Sequence, residues 1–125
     1  MTIEALSYIN RCIESLNIPY EFLQWTDDLT FPYFVGEYSE SEITEEDGKD
    51  ESTFIITGIS NSSYLSLVEI KDKIKKLFTY HGKMAILESG SGIAISYMSS
   101  FTIPTNEQGL YRLQINLSVK EWRNE

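Results

Sequence analysis

His81 and Cys12 are the only histidine and cysteine in the chain. General-base catalysis by histidine needs an orienting partner and a nucleophile, and nothing beside His81 supplies either. It reads as an exposed loop residue. Cys12 lies inside a helical pattern, where a small buried hydrophobe is expected rather than a reactive thiol. The densest titratable cluster is acidic. Glu40, Glu42, Glu45, Glu46, Asp47, Asp50 and Glu51 share residues 39–51 with Lys49 alone, a net of −6. Their order does not match the ligand register of a calcium loop, so a solvated charge run is expected, with weak divalent binding the minor alternative. Gly90-Ser91-Gly92 is followed by strand-like residues, not by a helix, and reads as a hairpin turn. Trp25, Phe31, Tyr33, Phe34 and Tyr38 have no interleaved cations, so packing is expected of them rather than base stacking. Asn61-Ser62-Ser63 and Asn116-Leu117-Ser118 match a glycosylation sequon by chance. The residues point to no catalytic, metal or cofactor site, and a non-enzymatic protein is expected.

The 125 residues suit one domain, and 42% hydrophobic content excludes a wholly disordered chain. The net charge of −9 argues against specific nucleic-acid binding and against docking on anionic lipid. Two-thirds of it sits in the 39–51 segment, leaving −3 for the body. The start of the chain lacks the pattern of a signal peptide, and no stretch reaches the length of a membrane span. A cytosolic origin is the default expectation.

Ile3, Leu6, Ile9, Ile13 and Leu16 recur at helical spacing and predict a helix over 2–16. Thr2 is its expected N-cap, and Asn17 and Pro19 end it. Strands are expected over 19–25 and 30–38, with Gly36 marking a bulge or a close approach. Residues 39–51 read as a mobile loop, because a segment with one apolar residue cannot bury itself. A third strand follows over 52–59. The second helix carries Leu67, Ile70, Ile74 and Leu77 on one face. Its cap is either Ser63 or the Ser66–Glu69 box. Residues 84–87 read as a short strand or link, and 93–100 as a strand. In 110–122, Tyr111, Leu113, Ile115, Leu117 and Val119 alternate with polar residues, predicting a strand with one packed face. The fold class expected is α+β in the order α-β-β-β-α-β-β. About five mostly antiparallel strands carry two helices on one face. The other face is a surface for a neighbouring subunit, with Tyr33, Val35 and Tyr38 as candidate contacts.

Four runs carry a family resemblance: Phe31–Tyr38 with the acidic insertion and Phe54–Gly58, Glu69–Phe78, Gly90–Ile95, and Gln114–Trp122. Together they resemble small tail-completion proteins of long-tailed phages and prophages of Gram-positive bacteria, similar in layout to tail terminators. The resemblance implies a subunit that forms a ring, commonly a hexamer, at the head-proximal end of the tail tube. It implies the tube protein and the head connector as partners. It also implies assembly in the host cytoplasm and residence in the virion tail, and it carries no catalytic residues. The 39–51 loop would line the channel, where like charge keeps DNA from sticking, or fold against a partner. The competing class is an acidic regulatory or decoy protein that occupies a basic surface.

Overall fold

The computed structural model describes residues 1–24, 31–40, 49–79 and 82–122. Helix α1 spans Ile3–Glu14. The Thr2 hydroxyl caps it by accepting from the Ala5 N–H at 3.1 Å. Ala5, Ile9 and Ile13 are its buried residues, whereas Ile3, on the expected stripe, is 84% exposed. Ile3 occupies the first helical position, and Leu6 and Leu16 of the same stripe are only partly buried against the core. Asn17 takes the left-handed conformation (φ +56°) that lets the chain leave the helix.

Three strands follow: β1 (Tyr20–Phe22), β2 (Tyr33–Glu40) and β3 (Lys49–Ser60). Helix α2 spans Tyr64–Leu77. Ser63, not Ser66, is its cap, and accepts from the Leu65 N–H at 3.1 Å. The Ser66 hydroxyl instead donates to the Ser63 carbonyl at 2.7 Å. Then come β4 (Lys83–Ile86), β5 (Gly92–Ile103) and β6 (Tyr111–Trp122). The sheet has six strands in the order β1-β2-β3-β6-β5-β4. It is mixed, because β1 runs parallel to β2 while every other pair is antiparallel.

The α+β class and the two helices agree with the sequence pattern; the strand count is six instead of about five. The additional strand is β4, whose four residues are too few to show a period. Gly36 marks no bulge, since β2 pairs with β3 in unbroken register. It marks a close approach: a Cβ there would collide with the Tyr20 side chain. The one register shift lies in β5, between Tyr97 and Ser99.

Phe34, Phe54, Ile56, Leu113, Ile115, Leu117, Ile93 and Ile95 all point to one face and join Ile9, Ile13, Leu67 and Ile74 in a single core. Both helices therefore cover the same side of the sheet. Phe34 and Gly58 are cross-strand partners, and the Phe34 ring lies over the glycine. The Phe22 ring stacks on Phe54 at 6.1 Å. Met1 adds its α-ammonium to Glu40 in an ion pair.

Candidate functional site

The second face of the sheet carries no helix among the described residues. β3, β6 and β5 have 12 residues each. At ~3.3 Å per residue each runs about 40 Å, and with β2 the face is roughly 19 Å wide. That projects to on the order of 700 Å², near the ~800 Å² that one partner contributes to an ordinary protein interface.

The register arranges this face in rows across four strands. The first row is Tyr33, Ile59, Arg112 and Ile103, and the next is Val35, Thr57, Gln114 and Phe101. Glu37, Ile55, Asn116 and Ser99 follow, then a hydroxyl row of Ser39, Thr53, Ser118 and Ser96. Beyond them Glu51 stands opposite Lys120. The apolar side chains of the face thus gather in the first three rows, among Arg112, Gln114, Glu37 and Asn116, and a hydroxyl row follows them. Asn116 ties two strands by donating to the Ser99 hydroxyl at 3.2 Å, and it accepts from Gln114 at 3.0 Å. Phe101 and Met98 are about half exposed, and Met98 is the residue left over by the β5 register shift. A shallow depression of 310 Å³ opens between Ser39, Thr53, Ser118 and Met98.

Of the three expected contact residues, Tyr33 and Val35 belong to this face. Tyr38 does not: it lies on the helix side, stacked on Phe22 at 6.2 Å. Side chains alternate along a strand, so 33 and 35 share a face and 38 cannot.

The 39–51 segment also differs from expectation at both ends. Ser39 and Glu40 extend β2, and Lys49, Asp50 and Glu51 begin β3. Ser39 and Glu40 pair with Thr53 and Ser52 of β3, and the β3 residues are held because β6 runs beside them, pairing Lys49 with Trp122, Asp50 with Glu121 and Glu51 with Lys120. Backbone pairing does not require apolar side chains, so hydrophobic patterning could not reveal it. Glu42, Glu45, Glu46 and Asp47 lie outside the described residues, as does His81. Asp50 and Glu40 point to the helix side, and Glu51 to the open face.

Sequence reasoning missed Ile55, Ile59 and Phe101 on the open face. A signal was present in Phe54-Ile55-Ile56, which is apolar on both parities. An antiparallel strand covered on one side alternates cleanly, whereas apolar residues on both sides call for a second cover.

Cys12 is half-buried, and its neighbour Tyr8 has its hydroxyl held protonated above the ordinary range, first by burial and then by the Cys12 contact. Burial likewise raises Tyr20, which donates a hydrogen bond to Asn10. Both serve packing. Among the described residues no three metal-binding side chains stand together, and no helix is long and apolar enough to cross a membrane. Compared with protein-family models and with characterised proteins, the chain gives no match.

Proposed function

We propose that this chain is a non-enzymatic structural subunit of a phage or prophage tail, a tail terminator or head–tail joining protein. It assembles as a ring on the head-proximal end of the tail tube. Its partners are further copies of itself, the tube protein and the head connector. The observation that carries the reading is the uncovered sheet face, with Val35, Ile55, Ile59, Ile103 and Phe101 among polar rows. Apolar residues set within a polar surround form the ordinary anatomy of a protein interface. A ring needs contacts between different patches of one subunit, and a one-sided sheet offers distinct faces and edges for them. The resemblance in the Phe31–Tyr38 and Gln114–Trp122 runs supplies the tail context. The acidic hairpin end would line the channel or meet a partner.

The decoy reading is weaker. A phosphate mimic needs its carboxylates in one row, but Glu37 and Glu51 face one side while Glu40 and Asp50 face the other. Glu40 is also paired with the Met1 ammonium.

Negative-stain microscopy of purified protein mixed with tail tubes tests the proposal. Rings capping one end of each tube are expected. Tubes that stay uncapped and continue to grow at saturating protein would refute it.

A further inference from the structure

A second interaction surface lies on the edge of the sheet, at β4. β4 is a terminal strand, paired with β5 alone. The Leu87 N–H donates to the Ser91 carbonyl at 2.8 Å, which sets the alternation of the ladder. Lys83, Ala85 and Leu87 therefore bond inward, and Met84 and Ile86 turn their N–H and C=O groups to the outer edge. Among the described residues no backbone hydrogen bond from outside the sheet reaches either one. Their side chains are also the most exposed of any strand hydrophobics, at 73% and 81%. Helix α1 does not close this edge: a 630 Å³ groove separates Tyr8 and Arg11 from Ile86 and Leu87.

Natural sheet edges are blunted by shortness, charge, proline or a bulge. β4 is short and opens on Lys83, but its outward-bonding segment Met84-Ala85-Ile86 carries no charge, proline or bulge. It does have a symmetry. When two such strands lie antiparallel about a two-fold axis at Ala85, Met84 of each copy falls opposite Ile86 of the other. Both residues have outward backbone groups, so each such pair exchanges two hydrogen bonds. The exposed side chains of the same residues meet across the strands. Lys83 of each copy falls opposite Leu87 of the other, so the register brings no like charges face to face.

We propose that β4 is a self-docking edge, through which two copies join their sheets into one continuous sheet. The contact is isologous and closes at two. The side chains of Met84 and Ile86 belong to the open face, beside Ala94 and Gly92, but the contact is made along the edge, is isologous where a ring's is heterologous, and is tested without tail tubes.

The experiment uses the full chain in a Cys12→Ser background, at millimolar protein. Ala85→Cys places two thiols at the axis, with Cα atoms ~4.5 Å apart in an unbonded antiparallel pair, within disulfide range. Mild oxidation should convert most of the chain to a disulfide dimer, while Phe101→Cys on the open face should convert at least tenfold less. Ile86→Pro provides the second arm. It removes an outward N–H, so the β5 ladder and the circular dichroism spectrum should stay intact while the dimer seen by sedimentation weakens at least tenfold. Equal cross-linking at Ala85 and Phe101, or an unaltered dimer with Ile86→Pro, would overturn the proposal. So would a wild-type chain that stays monomeric to millimolar concentration, including one whose β4 edge instead takes a strand from another protein.

Discussion

Glu121 is 2% exposed and continues the packed side of β6, where an apolar residue would ordinarily stand. Its carboxylate is satisfied by Thr2, whose hydroxyl donates at 2.7 Å and whose backbone N–H donates at 3.3 Å. The positive N-terminal end of α1 thus rests on a carboxylate, which favours both. Thr2 also caps the helix, so Thr2→Ala should cost about 1–2 kcal/mol in urea unfolding. Glu121→Gln keeps an acceptor and removes the like charge opposite Asp50, so it should cost less than Thr2→Ala. A second tether joins Glu4 to the β4–β5 turn. The Ser89 hydroxyl and N–H both donate to its carboxylate and hold it below the ordinary carboxylate range. A depressed carboxyl contributes to the fold above its unfolded value and loses that contribution as pH falls through the folded one. Ser89→Ala should therefore raise the Glu4 titration midpoint by nuclear magnetic resonance, and an unchanged midpoint would exclude the tether.

At the scale of elements, glycines on the helix side accommodate aromatic rings. A Cβ on Gly58 would land inside the Phe34 ring, which is fully buried and cannot retreat. Gly58→Ala should destabilise by about 1–3 kcal/mol in denaturant unfolding. Gly92→Ala is the matched control, because its Cβ would meet nothing nearer than the Trp122 ring at 3.8 Å. There the lower chain entropy of alanine should leave stability unchanged or raise it by about 0.5 kcal/mol. The strand pattern was most legible in β6, where Leu113, Ile115, Leu117 and Val119 are buried as the sequence implies, although Tyr111 at its start is exposed and Asn116 on the other face is buried. β1 was legible as a strand but not in its three-residue length or its parallel pairing, because Leu23 turns away with φ +70°. No side-chain pattern announces such a backbone turn. At the α2 end, the Lys75 ammonium lies over the Tyr97 ring at 5.0 Å, a contact between residues 22 apart in sequence that no spacing rule covers.

For the whole molecule, the open face should act in assembly and not in folding. Ile55→Lys places a cation beside Glu37, its cross-strand neighbour, so the isolated chain should keep its melting temperature within a few degrees. Binding to tail tubes in a pelleting assay should nevertheless fall at least tenfold, because a charge is buried at the contact. Equal pelleting of wild type and variant would remove this face from the interface.

Composition and periodicity by themselves determined the α+β class, both helices, the longer strands and the concentration of charge near residues 39–51. Each of these follows from local propensity or from a repeating apolar pattern read along one segment. The alternation of one strand already separates Tyr38 from Tyr33 and Val35. Only the tertiary structure decided which sheet face stays open and that Glu40, Asp50 and Glu51 belong to strands. It also decided that β4 ends the sheet with Met84 and Ile86 outward. The physical reason is common to all three. A strand's facing, its extension through polar residues and its place at an edge are set by the backbone hydrogen bonds of a neighbouring strand. Those neighbours, such as β6 beside β3, lie far away in sequence.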